Sequence, residues 1–266
     1  MSAALDAAFA TARTEHRAAL VGYYPAGFPS VEASKRIVDA MVRGGVDVVE
    51  IGLPYSDPLM DGPVIQRAVE AALAAGVRIT DVIDVVRHVA ASGAPTLVMS
   101  YWNPIERYGV ERFAQELADA GGVGVINPDL TPEEASDWIS ATDRAGIARV
   151  FLVAPSSTPE RLKIVADATS GFVYAASLMG VTGERTSLSD AASVLVKRTR
   201  DITDRPIAVG LGVSTPEQAA EIATFADGVI VGSAFIRAVL DAPDEAAALV
   251  AVEALAKALA TGVRQR

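Results

Sequence analysis

The sequence predicts an α/β protein of the (β/α)8 TIM-barrel class, and three observations lead there. Eight short apolar runs rich in β-branched residues recur at 20–24, 46–51, 96–101, 123–127, 149–153, 172–177, 206–210 and 228–232. The runs are continuous rather than alternating, as parallel strands covered on both faces should be. Helical patterns separate them throughout, and eight strands alternating with helices close as a barrel. A doubly wound open sheet is the alternative, but it ordinarily carries a Gly-rich turn after its first strand. Here the first run leads into Pro25-Ala26-Gly27-Phe28-Pro29, which has no GxGxxG.

The elements follow in chain order. Residues 2–13 read as an extra N-terminal helix, and 31–44 as the helix after the first strand. Two helices follow the second strand: an extra one over 63–75 and the regular one over 80–92. The remaining helical patterns fall at 106–120, 132–145, 158–168, 189–201, 215–225 and 234–241. Thr131-Pro132, Thr158-Pro159 and Thr215-Pro216 each set a capping Thr before Pro at the first helical position. The Ala-rich segment from 244 to 262 closes the last position of the barrel. No linker, low-complexity tract or strong internal repeat interrupts the chain, so a single domain over 1–266 is expected.

Composition excludes several functions. The 266 residues are 51% hydrophobic, ample for a full core. A net charge of −10 argues against nucleic-acid or anionic-membrane partners, which need clustered Lys and Arg. There are no cysteines, which removes disulfides, thiolate nucleophiles and Cys-ligated metals and makes a cytoplasmic location the expectation. His16 and His88 are the only histidines, too few for a multi-histidine metal site, so no metal and no cofactor are expected. The N-terminus lacks a basic start followed by a long apolar stretch, and Glu253 and Lys257 interrupt the Ala-rich tail. Neither a secretory signal nor a membrane span is expected.

In barrels the chemistry sits on the loops that follow the strands. Glu50 lies near the end of the second strand. Projected into an apolar barrel mouth, it would have a raised pKa and could both give and take a proton. A solvated or salt-bridged strand-end Glu fits the same spacing, and the residues alone leave both readings open. Asp61 follows 11 residues on, in a loop stiffened by Pro54, Pro58 and Pro63. Gly210-Leu211-Gly212 after the seventh strand and Gly232-Ser233 after the eighth stand where barrels bind phosphate with a helix N-terminus. Met179 to Arg185 form a third Gly-rich loop with the composition of a lid. The four lysines, Lys35, Lys163, Lys197 and Lys257, all fall in helical patterns, so Schiff-base chemistry is not expected. Tyr23, Met99, Tyr101, Ile126, Tyr174 and Leu211 at strand ends would line a flat apolar pocket.

These stretches resemble the tryptophan synthase α-subunit family over essentially the whole chain. The resemblance is carried by EIGLPYSDPLMDGPVIQRA (50–68), MSYWNPIERYG (99–109), NPDLTPEE (127–134), YAASLMGVTGER (174–185), VGLGVSTPEQA (209–219) and VGSAFIR (231–237). It implies retro-aldol cleavage of indole-3-glycerol phosphate to indole and glyceraldehyde 3-phosphate. Glu50 matches the family's catalytic acid/base, and Asp61 the carboxylate that accepts the indole N–H. Gly183, Gly212, Gly232 and Ser233 match phosphate-binding positions, and Thr182 matches a lid residue. Tyr23, Met99, Tyr101, Ile126, Tyr174 and Leu211 match the indole pocket. Asp57 and Asn103 match the surface that meets a β subunit in an α2β2 complex, to which indole passes.

The chain departs from the family pattern at four places. Tyr23 stands where Phe is common, Leu178 precedes MGVTG, INPDL replaces an ADLP-type wording, and Trp102 takes an often smaller position. None touches Glu50 or Asp61. Two competing readings are a different phosphosugar-binding barrel enzyme and a partner-activating subunit with little lyase activity of its own.

Overall fold

A computed structural model describes residues 2–176, 188–210 and 212–265. Among the described residues nine parallel strands form one sheet: β1 (Ala19–Pro25), β2 (Val48–Gly52), β3 (Thr96–Met99), β4 (Gly124–Ile126), β5 (Ala148–Val150), β6 (Leu152–Val153), β7 (Val173–Ala176), β8 (Ile207–Gly210) and β9 (Gly228–Val231). The order β5-β4-β3-β2-β1-β9-β8-β7-β6 puts β5 and β6 at its two ends, yet only Phe151 separates them in the chain. They are the two halves of the expected fifth strand. The first half pairs with β4, the second with β7. Asn127 N–H donates to Val150 O and Tyr174 N–H to Phe151 O, both at 3.2 Å, so the ladder passes through the break and the barrel closes. The strands are buried on both faces, which explains their unbroken apolar runs.

Twelve α-helices among the described residues surround the sheet: α1 (Ala3–Thr14), α2 (Val31–Arg43), α3 (Pro63–Ala74), α4 (Ile79–Ala90), α5 (Trp102–Tyr108), α6 (Val110–Asp119), α7 (Ser136–Ala145), α8 (Pro159–Ala168), α9 (Leu188–Arg200), α10 (Pro216–Ala223), α11 (Ser233–Leu240) and α12 (Glu245–Gly262). The two extra helices are present as α1 and α3. The helix expected over 106–120 is two helices that meet at Gly109, whose φ of 105° no helix can continue through. The helix expected from 132 opens as a 3-10 turn over Pro132–Glu134, with no side-chain cap from Thr131. The other two Thr-Pro starts form as expected: Thr158 accepts from Arg161 N–H, and Thr215 and Gln218 make a reciprocal capping box.

Two features fix the strands that carry the site. Asp47, just ahead of β2, takes a two-pronged ion pair from buried Arg17 (2.6 and 2.8 Å) and a 2.8 Å hydrogen bond from Leu20 N–H of β1. This clamp sets the β1–β2 register, in which Tyr23 is the Cα partner of Glu50. Behind these strands α12 packs on α2 so closely that a Cβ on Gly44 would fall 2.3 Å from the Ala256 methyl. The Ala-rich tail thus closes the barrel by small-residue contact.

Candidate active site

Glu50 occupies the middle of β2, between Tyr23 of β1 and Leu97 of β3 in the ladder. Its side chain is 3% exposed, and Oε2 is buried with no hydrogen-bond partner among the described residues. Burial lifts its pKa to about 8, and the nearby Asp61 carboxylate adds to the rise. A carboxyl so placed is protonated at neutral pH. The solvated or salt-bridged reading left open above does not describe it.

Asp61 lies in the loop between β2 and α3. The loop ends with Gly62 capping α3 and Pro63 at its first position. Tyr101 O–H donates to Asp61 Oδ1 at 3.1 Å, and Met60 N–H donates to the same phenol at 3.2 Å. Gln66 Nε2 holds the Asp61 carbonyl at 2.8 Å. Burial raises the Asp61 pKa, and the Tyr101 hydrogen bond pulls it back down. Two carboxyls thus share one mouth with unequal surroundings: one has an unsatisfied oxygen, the other a phenol donor.

A cavity of about 520 Å³ opens beside both, lined by Tyr23, Met99 and Tyr174, by Met60, Gly62, Val64 and Ile65 of the loop and α3, and by Gly210, Gly212, Ile230, Gly232, Ser233 and Arg237. Its flat apolar surface depends on glycines opposite tyrosines. A Cβ on Gly52 would lie 2.3 Å from Tyr23 Oη, and one on Gly210 would lie 2.3 Å from Tyr174 Oη. Burial, reinforced by the two carboxyls, pushes both phenols well above their ordinary pKa, so they stay neutral. Gly212, with φ of +70°, and Gly232-Ser233 at the start of α11 form the far wall. Gly232 and Ser233 open α11, the end of a helix that carries unpaired N–H groups and the positive end of the dipole.

The expected site residues therefore divide. Glu50, Asp61, Tyr23, Met99, Tyr174, Gly212, Gly232 and Ser233 converge on one cavity. Tyr101 stands behind Asp61, not on the cavity wall; its phenol reaches the site through that carboxylate and through Met60 N–H. Ile126 is 1% exposed and packs in the core without reaching the wall. Leu178, Thr182, Gly183 and Leu211 lie outside the described residues. Asp57 and Asn103 are exposed on the adjoining rim, where Asn103 Nδ2 donates to Tyr55 Oη at 3.1 Å. Tyr55 in turn lies on Tyr101, with ring centroids 5.4 Å apart. The departure at Trp102 is accommodated by an edge contact with the buried Trp138 ring at 5.9 Å. Sequence reasoning missed Arg237 and Gly52. The one signal for Arg237 is its place four residues after Ser233, one turn up the helix that opens the far wall.

A closed parallel barrel with a buried carboxyl, a second carboxylate and a glycine-lined wall at one mouth has the groups of an acid–base enzyme of the (β/α)8 class. Comparison with known proteins narrows that class. The family model described as tryptophan synthase alpha chain matches residues 9–264. The chain is 62% identical over 258 residues to the tryptophan synthase alpha chain of Thermobifida fusca, covering 96% of each. It is 59% identical over 261 residues to that of Streptomyces coelicolor, covering 98% of this chain and 96% of the relative. Among solved structures, tryptophan synthase from Mycobacterium tuberculosis superimposes with a TM-score of 0.91 at 51% identity, covering 98% of both chains. The alpha subunit from Legionella pneumophila does so at 0.89 and 33% identity, again covering 98% of both. The chain belongs to the tryptophan synthase alpha chain family. It is a carbon–carbon lyase of tryptophan biosynthesis, cleaving indole-3-glycerol phosphate to indole and glyceraldehyde 3-phosphate.

Proposed function

We propose that Glu50 handles both protons of this cleavage and that Asp61 steadies the charge formed between them. The indole ring lies among Tyr23, Met99 and Tyr174, and the phosphate lies against Gly212, Gly232 and Ser233. Protonated Glu50 delivers its proton to indole C3, giving a cationic indolenine and a Glu50 carboxylate. Asp61 accepts the indole N–H, which carries part of the positive charge. The new carboxylate then takes the proton of the glycerol hydroxyl on the carbon attached to C3. The bond between that carbon and C3 breaks, its electron pair restores the aromatic ring, and the aldehyde forms. Glu50 ends protonated again, so one carboxyl serves as acid and then as base.

The observation that carries this reading is the buried, unpartnered Oε2 of Glu50, in a carboxyl whose pKa is lifted to about 8. Glu50→Gln keeps the volume but cannot deliver the proton. The expected loss of indole release is roughly 100- to 10,000-fold, the usual share of general acid–base catalysis. Affinity for a non-reacting phosphate ester should stay within a few-fold. Near-normal turnover by this variant would remove Glu50 from the chemistry.

We further propose that the exposed rim of the Asp61 loop meets a β subunit in an α2β2 assembly, with indole handed across, in the cytoplasm. Leu59 supports this: it is an apolar side chain, 78% exposed, in the same loop as Asp57. Indole release with and without added β subunit tests the contact. Asp57→Ala should reduce the stimulation and leave basal release unchanged.

A further inference from the structure

Arg237 is the only basic side chain on the cavity wall among the described residues; the acids there are Asp61 and Glu50, the latter held protonated by burial. The substrate carries a phosphate monoester, which near neutral pH holds a charge of roughly −1.5 to −2. Backbone N–H groups and a helix dipole supply only partial positive charge against it. The wall thus has two acids and one uncompensated cation facing a dianion.

Arg237 sits four residues after Ser233 on the eight-residue α11. Four residues is about one turn, so the two lie on the same helix face. The Cα–Cβ bond of a helical residue tilts toward the N-terminus, and a long side chain lies over the preceding turn. The Arg237 guanidinium therefore leans toward the end of the helix where Gly232 and Ser233 face the cavity. It makes no hydrogen bond or ion pair with a described residue, and it is exposed, so among the described residues no such contact has to break before it turns to a ligand.

We infer that Arg237 is the charged ligand of the substrate phosphate, closing over an anion that the backbone at Gly212, Gly232 and Ser233 holds from the other side. The inference rests on the placement of phosphate at that wall proposed above. As an interaction made equally with bound substrate and transition state, it is expected to set KM rather than kcat.

The competing role is structural: a cation in the last turn of α11 also complements the helix dipole, which would appear in stability and not in ligand affinity. The test measures full-length wild type, Arg237→Gln and Arg237→Lys. Glycerol 3-phosphate serves as a non-reacting phosphate ester and indole as a phosphate-free probe, with the amide signals of Gly232 and Ser233 followed by NMR. For Arg237→Gln we expect about tenfold weaker glycerol 3-phosphate binding, equivalent to about 1.4 kcal/mol. KM should rise by a similar factor with kcat within twofold, and indole affinity should be unchanged. Arg237→Lys should recover part of the loss. Added salt should weaken glycerol 3-phosphate binding to wild type more than to Arg237→Gln, because one ion pair is gone.

Equal glycerol 3-phosphate affinity in wild type and Arg237→Gln, with both amides shifting, would overturn the role of Arg237 alone. Parallel losses for indole and glycerol 3-phosphate would overturn it too, by showing a general disturbance of the site. No shift of either amide in saturated wild type would instead overturn the placement of the phosphate.

Discussion

Replacing Tyr101 by Phe removes one oxygen that serves two groups of the Asp61 loop. In the native protein Met60 N–H donates to that phenol at 3.2 Å, and the phenol donates to Asp61 Oδ1 at 3.1 Å. Both distances are at the long end of the normal range, so the lower part of the scale for hydrogen bonds to charged groups applies, about 1.5 kcal/mol for the carboxylate contact. That contact favours ionised Asp61 and opposes the rise caused by burial. Its loss should therefore raise the Asp61 pKa further. The loop also loses its tie to the barrel, so Asp61 spends less time opposite Glu50. The assay is kcat/KM for indole release across the pH range. The acid limb should move to higher pH, and kcat/KM should fall about tenfold, the equivalent of losing that contact of about 1.5 kcal/mol. An unmoved acid limb with kcat/KM within twofold of wild type would refute the relay.

Two further outcomes follow from the same site. Gly52→Ala would place a methyl 2.3 Å from Tyr23 Oη, forcing the ring toward the cavity; kcat/KM should drop at least tenfold, and the overpacking should cost about 1–3 kcal/mol by denaturant unfolding. The raised pKa of Glu50 must also appear in stability. The folded state keeps a proton up to about 8 that the unfolded chain releases near 4.5, so stability falls as pH rises through that window. Gln does not titrate. The stability of Glu50→Gln should therefore gain on wild type as pH rises from 4.5 to 8, by up to about 5 kcal/mol, seen as a relative Tm gain of roughly 10 °C or more. A constant Tm difference would contradict this.

The sequence showed the barrel because its strands are buried on both faces and so read as unbroken apolar runs. It showed Glu50 and Asp61 as a strand end and a Pro-braced loop at the right spacing, but their electrostatic inequality depends on tertiary contacts. Nothing near Asp61 in the chain points to Tyr101, 40 residues away, as its donor. Tyr101 and Ile126 both end strands, and that shared position suggested pocket walls; one turned behind the carboxylate and the other into the core. The break at Phe151 was hidden for a similar reason, since a strand whose halves pair with different neighbours keeps the same apolar pattern. Gly109 stood inside the single helical pattern expected over 106–120, and its φ of 105° shows that two helices meet there.

Everything proposed for the chemistry depends on Glu50 carrying a proton when substrate arrives. The direct measurement is a pH titration of the Glu50 carboxyl by difference infrared spectroscopy of wild type against Glu50→Gln. The carbonyl stretch of a buried carboxylic acid should be present at neutral pH and fade with a midpoint near 8. A carboxylate signal already complete at neutral pH, with a midpoint near the ordinary 4.5, would contradict the account.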